Sequence, residues 1–246
     1  MKKITHLLVL AVFLAAYTAV AQWPDNTNNK IKGNGNVVTQ TRNTGDYDEI
    51  KVGGPFNVNL VAGKEGNITL KGEENLLSAI KVEIVDNALK IYVQHGTNIR
   101  TSEGKAIEVT VPFEKISEVS LASSGNIQTK DKIKSDNFTA KLAGSGNFKL
   151  DVEAVNFVVN VSGSGDVVLK GKAQTFTSKV SGSGNINAND LKCKNVEANV
   201  SGSGNSRINC EESLVAKVSG SGNIKYSGNP EKRDVKVSGS GSISKV

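Results

Sequence analysis

The sequence predicts an all-β chain wound into a parallel β-solenoid of about 19 residues per coil, preceded by a less regular β-rich segment. Three observations carry this. A phrase, Val-Ser-Gly-Ser-Gly-Asn, recurs in series: Val161 to Asp166, Val180 to Asn185, Val200 to Asn205, Val218 to Asn223 and Val237 to Ser242, with looser copies at Leu121 to Asn126 and Leu142 to Asn147. Its leading apolar residues step by 21, 19, 19, 20, 18 and 19 residues, and a fixed period in this range signals a stacked repeat. Between the phrases, apolar and polar residues alternate with period two, the strand period, as in Phe176, Ser178 and Val180 or Val196, Ala198 and Val200.

Within a repeat the apolar runs are short, and Gly-Ser-Gly-Asn or Asn189-Asp190 separates them. Glycine reaches positive φ without a Cβ clash, and Asn tolerates it better than most residues. The expected corner glycines are Gly125, Gly144, Gly146, Gly163, Gly165, Gly182, Gly184, Gly202, Gly204, Gly220, Gly222, Gly239 and Gly241. About three strands fit between successive corners. Each coil then lies one strand spacing, about 4.8 Å, above the last, so six steps rise roughly 29 Å. Equal positions stack, and the recurrent Asn residues are expected to form ladders along the axis. The phrase does not read as a phosphate loop, because its spacing differs from G-x-G-x-x-G, no helix follows, and it recurs too often.

Taken in order, the 246-residue chain opens with a signal-peptide pattern at 1–21: Lys2 and Lys3, an apolar stretch from Leu7 to Ala16, and the small-residue site Ala19-Val20-Ala21 before Gln22. The sequence places no cysteine at that cleavage site, so lipid anchoring is not expected. Residues 22–45 are polar and Asn-rich and read as a linker, with Gly33 to Val38 as a degenerate corner phrase that can order as an edge strand. Residues 46–122 alternate like strands but lack the strict phrase. Glu74 to Ala79 suits a short helical turn, and His95 to Lys105 reads as the longest polar loop. Residues 123–246 are the regular coils, so the solenoid domain spans 46–246.

The formal charge is +6, and loss of the two leader lysines lowers it to +4. The lysines scatter among acids and Asn at outward strand positions, as on a solvated surface; with few aromatics for base stacking, nucleic acid is not an expected partner. After the leader, Cys193 and Cys210 are the only cysteines, on the apolar parity of their strands and 17 residues apart, close to one coil. A disulfide and a pair of buried thiols are both open readings. Neither metal nor cofactor is expected, since zinc sites want about four ligands.

The Phe56-Asn-Val-Asn-Leu60 strand, the serial Ser-Gly-Ser-Gly-Asn coils and the run from Gly220 to Pro230 resemble the head GIN domain family of autotransporter adhesins over roughly residues 46 to 230. The resemblance implies a right-handed parallel β-helix-like fold and a role in adhesion at the cell surface. Autotransporters carry a C-terminal membrane barrel of alternating strands, and this sequence shows no such segment after its coils.

Catalytic chemistry is not expected. His95 is the one histidine after the leader, in a polar loop. Asp131, Asp136, Asp151, Glu153, Asp166 and Asp190 are the acids that a polysaccharide-cleaving β-helix would draw on. No acidic pair recurs at one coil position, and these acids read as surface and corner residues. The expected function is an exported, non-enzymatic binding or adhesion module of the cell envelope that meets a glycan or a surface protein. A structural envelope part and a carbohydrate-active enzyme are the alternatives.

Overall fold

The computed structural model describes residues 29–246; the leader at 1–21, the Gln22 start and the rest of 22–28 lie outside the described residues. The fold is a β-solenoid of about seven turns with a spacing of about 19 residues and less regular N-terminal strands.

The chain begins with β1 (Asn29–Lys32) and β2 (Val37–Asn43). The stretch expected as a linker therefore contributes two strands: β1 pairs in parallel with β8 (Thr97–Arg100), and β2 pairs antiparallel with β5 (Asn67–Glu73). Likewise the expected loop at 95–105 holds β8, anchored by buried Ile99. Both segments are ordered by backbone pairing, with few apolar side chains to betray it. The Glu73 carboxylate ties them together, accepting the Gly35 N–H at 2.6 Å, the Ser102 N–H at 2.9 Å and the Ser102 hydroxyl at 2.6 Å. These bonds, led by the Ser102 hydroxyl, hold its pKa below the usual carboxylate value.

The strands β3 (Glu49–Gly53), β4 (Phe56–Ala62), β6 (Ile80–Val85), β7 (Ala88–Val93), β9 (Ile107–Phe113), β10 (Glu118–Leu121) and β11 (Asn126–Thr129) complete the irregular part, with one short helix, α1 (Glu74–Leu77). Their spatial order departs from chain order. β3 lies between β7 and β10, and β4 between β9 and β11, all in parallel. The first coil in the chain is thus second in space, and the chain returns past it from β9 to β10. The end of the stack is covered by antiparallel strands: β6 pairs with β7 through a turn at Asp86 and Asn87 (φ +52° and +61°), and β5 pairs with β9. Covering the edge removes a template for aggregation.

The regular coils are β12 (Ile133–Gly144), β13 (Asn147–Gly163), β14 (Asp166–Gly182), β15 (Asn185–Gly202) and β16 (Asn205–Gly220), followed by β17 (Asn223–Ser227), β18 (Lys232–Ser238) and β19 (Ser242–Lys245). The expectation of three separate strands per coil is corrected here. Each complete coil is one ladder of 16 to 18 residues. The bends appear as slips in the inward parity: in β15, Asn189 and Asp190 are both exposed in succession, and the register to β14 and β16 shifts nearby. In β15 this bend uses no glycine, whereas the same bend in β14 carries Gly171 at φ +116°.

Three facets result, here called A (185–189 in β15), B (190–194) and C (195–202). Inward residues form columns. Leu121, Leu142, Val161, Val180, Val200, Val218 and Val237 stack in register on facet C. Beside them Phe138, Phe157 and Phe176 are buried with ring centroids 5.5 Å apart.

The phrase glycines divide into two kinds. The first of each strict phrase has positive φ, such as Gly163 (+126°), Gly182 (+120°) and Gly202 (+118°). The second does not, which corrects the expectation of a positive φ at Gly204. That glycine is buried, and a Cβ there would lie 2.2 Å from the Gly184 carbonyl oxygen and 2.7 Å from Val180 Cγ1. Its requirement is close approach of one coil to the next.

Cys193 and Cys210 are register partners on β15 and β16, and both are buried free thiols. Cys210 Sγ donates to the Ser213 carbonyl at 3.1 Å. Burial pushes the Cys193 thiol up to about 12 and raises that of Cys210. The thiolate is the nucleophile, so native protein at pH 8 is expected to resist iodoacetamide, with both cysteines reacting after denaturation. Absence of reaction in the unfolded chain would reveal a bonded pair instead. Because the folded thiol pKa is raised, this contribution to stability is fully present below the ordinary thiol value and is lost as pH rises towards about 12.

Candidate binding faces

Facet A carries the most ordered polar surface. Asn57, Asn126, Asn147, Asp166, Asn185, Asn205, Asn223 and Ser242 occupy one register column. Each side-chain amide reaches the one before it: Asn126 Nδ2 donates to Asn57 Oδ1 at 2.8 Å, Asn147 to Asn126 at 2.8 Å, Asn185 to Asp166 at 2.8 Å, Asn205 to Asn185 at 3.0 Å and Asn223 to Asn205 at 3.0 Å. Ser242 closes the series by donating to Asn223 Oδ1 at 2.7 Å. The corner position supplies this ladder because the residue after the second glycine faces outward at the same place in every coil. An amide has two donors and the ladder uses one, so each asparagine rung keeps a free N–H for solvent or ligand.

The ladder has one discontinuity. Asp166 has no side-chain donor, and it meets Asn147 Oδ1 through its backbone N–H at 3.3 Å. Asp166→Asn restores the missing donor and is expected to stabilise the protein by about 0.5 kcal/mol. Paired urea melts check this, and a fall in midpoint would contradict it.

Beside the ladder runs a second outward column, Asn59, Gln128, Lys149, Val168, Asn187, Arg207, Lys225 and Ser244. Between the two columns Asn185, Asn187, Asn205, Arg207, Asn223 and Lys225 line a trough of about 440 Å³. Among the described residues, neither Arg207 nor Lys225 has a carboxylate within ion-pair distance.

A larger groove of about 1010 Å³ follows facet B along the stack. Ala154 and Ala173 form its floor, exposed Val155 stands beside them, and Lys134, Glu153, Lys172 and Lys192 line its wall. Within it Lys172 meets Glu153 at 2.8 Å, and nearby Lys132 meets the same carboxylate at 3.6 Å. The Lys172 hydrogen bond keeps the Glu153 pKa below the usual value.

The acids weighed for catalysis are interleaved with cations. Lys170 separates Asp151 from Asp190 in their register column and pairs with Asp151 at 3.1 Å. Asp131 accepts the Ala62 N–H at 2.9 Å, Asp166 belongs to the ladder, and Asp136 lines the facet B groove. His95 is exposed and lies against the Tyr92 ring. Among the described residues no group of three or more His, Cys, Asp or Glu is placed to hold a metal ion. The two-column face itself escaped the sequence reading. The Asn recurrence was visible, but the partner column of Asn187, Arg207 and Lys225 varies in residue type.

Fold and faces together define a repetitive β-solenoid that displays an ordered amide column to solvent beside a mixed column containing Lys149, Arg207 and Lys225. The chain belongs to the family described as "putative auto-transporter adhesin, head GIN domain", whose model matches residues 46–230. A solved structure described as a putative adhesin from Bacteroides fragilis is 26% identical, with a TM-score of 0.82, covering 88% of this chain and 100% of its own. One described as a putative lipid binding protein from Parabacteroides distasonis is 25% identical, with a TM-score of 0.73 and coverage of 89% and 100%. A putative adhesin from Parabacteroides merdae shares the fold at 24% identity and a TM-score of 0.65, covering 89% and 99%. A search of curated proteins gave no match. No helix among the described residues is long and apolar enough to cross a membrane.

Proposed function

We propose that this protein is an exported, non-enzymatic adhesion module of the bacterial cell envelope, which binds an extended polyhydroxylated glycan along facet A. The observation that carries this is the amide ladder from Asn57 to Ser242, with its free N–H groups repeating at the strand spacing beside Arg207 and Lys225. Many weak, evenly spaced hydrogen bonds suit a polymer laid along a rigid surface, where each added contact costs little further ordering. The family and its solved relatives described as adhesins support the same reading. Export is supported by the leader pattern at 1–21. The interleaving of Asp151, Lys170 and Asp190 supports a binding role over hydrolysis, because a glycosidase needs two carboxylates of separate function flanking one bond.

A glycan array that includes acidic and neutral polysaccharides tests the reading. Binding by the wild type that falls at least tenfold in Arg207→Ala/Lys225→Ala, with unchanged melting, is the expected result. No signal across the array, or equal binding by the variant, would overturn the assignment to facet A.

A further inference from the structure

The end of the stack formed by β18 differs from the end covered by β5 and β6. β18 pairs with β16 on one side, and in the residue-by-residue register no described strand of this chain pairs with its other side, β19 pairing with β17. All seven of its residues are exposed. Val235 is 51% and Val237 44% exposed, although each continues a column whose preceding members, Ala216 and Val218, are buried. An open row of backbone donors and acceptors above half-exposed core positions is a template for another strand.

The charge pattern of β18 selects the strand that fits. In an antiparallel pair, facing residues lie on the same side of the sheet. If β18 meets a second β18 about a two-fold axis centred on Val235, Val235 faces its own copy, Arg233 faces Val237, and Lys232 faces Ser238. Asp234 then faces Lys236 twice, once on each side of the axis. Centring one residue earlier sets Asp234 against itself and Lys232 against Lys236. Centring one residue later sets Lys236 against itself. The register centred on Val235 is therefore the one that pairs unlike charges on the outward side, and on the inward side it sets Val235 against its own copy.

The shape of the end agrees. β19 pairs with β17 on facet A, a step further along the stack than β18 on facet C, so the end is a spiral ramp. A two-fold through the middle of β18 swaps facets A and B. It sets β19 of each copy over the low 228–231 corner of the other.

We propose that two copies of this chain join end to end through β18, antiparallel about Val235, to make one continuous solenoid with two outward-pointing covered ends. The dimer carries two facet A ladders on one rigid body, which gives an adhesin two attachment surfaces.

Charge reversal tests this in the full chain by analytical ultracentrifugation, with circular dichroism and melting recorded for every variant. The wild type is expected to dimerise. Asp234→Lys and Lys236→Asp each place two like-charge contacts in the interface and are expected to weaken dimerisation at least about tenfold. The double variant Asp234→Lys/Lys236→Asp restores unlike pairs and is expected to return to near wild-type association. A wild type that stays monomeric at about 100 μM, a concentration well above the micromolar range of modest interfaces, would overturn the proposal. Single variants that still dimerise, or a folded double variant as weak as the singles, would equally reject this register. Because glycan binding is read separately on the monomer, failure of the dimer leaves the facet A assignment standing, and the converse holds.

Discussion

Val200→Asp is expected to cost about 4 kcal/mol or more and to remove the cooperative unfolding transition of the regular coils. Val200 is 2% exposed and lies between Val180 and Val218 in the facet C column. A carboxylate there has aliphatic neighbours above and below, and burying an unpaired charge costs several kcal/mol even after the structure relaxes. Whole domains are stable by only about 5 to 15 kcal/mol, so one such lesion takes a large share. The stack adds a specific signature. In a solenoid each coil contacts only its neighbours, and stability is roughly a sum of coil terms and interface terms. A lesion at Val200 weakens the interfaces of β15 with both β14 and β16. The coils from β16 onward are then expected to unfold at lower urea than the coils from β3 to β14, splitting one transition into two. Val200→Ala removes two methyl groups and is expected to cost about 2 kcal/mol. Lys179→Ser, on the outward side of facet C, is expected to change stability by less than about 0.5 kcal/mol. Circular dichroism in a urea series, with a probe in each half, distinguishes these outcomes; an intact single transition in Val200→Asp would contradict the column.

Much of this architecture is legible in the sequence because a solenoid writes its geometry as a period. The seven copies of the phrase, from Leu121 to Ser242, mark the coils, and the alternation at Val196, Ala198 and Val200 marks the inward face. The Asn ladder follows from equal positions stacking. What is not legible is pairing without side-chain pattern. β8 contains one apolar residue, Ile99, in four, and β1 likewise contains only Ile31, so neither shows alternation, yet they pair residue for residue. The placement of β3 and β4 between coils that come later in the chain is also hidden, since a parallel partner is chosen by contacts far away in sequence. Bends such as Asn189-Asp190 slip the inward parity without glycine, and the hydrogen-bonded ladder carries on around them. The binding face was half legible for the same reason: its amide column repeats, whereas its cation column mixes Val168, Asn187, Arg207 and Lys225.

Three glycine substitutions separate the two reasons a glycine is needed here. Gly204→Ala is expected to cost about 3 kcal/mol, near the upper end of ordinary overpacking losses, although its φ is not positive. Its Cβ would meet the Gly184 carbonyl oxygen at 2.2 Å, and that oxygen belongs to the backbone of the neighbouring coil; one turn on, the equivalent Gly204 carbonyl accepts the Asn223 N–H at 3.2 Å. A rigid carbonyl in a hydrogen-bonded ladder cannot swing aside as a side-chain tip does, so relief requires the coils to part. Gly202→Ala adds a second penalty. Its φ of +118° is a conformation that L-residues rarely adopt, and its Cβ would lie 2.5 Å from the Gly182 carbonyl oxygen. It is expected to be the most costly of the three, by about 1 kcal/mol or more beyond Gly204→Ala. Gly35→Ala isolates the backbone cost alone: φ is +80° and nothing lies within 4 Å of a Cβ. About 1 kcal/mol is expected there. Melting temperatures should therefore fall in the order Gly35, Gly204, Gly202. If Gly204→Ala were as mild as Gly35→Ala, the coils would not be in the close backbone contact that the second glycine of every phrase permits, and the one-strand rise per coil would lose its physical basis.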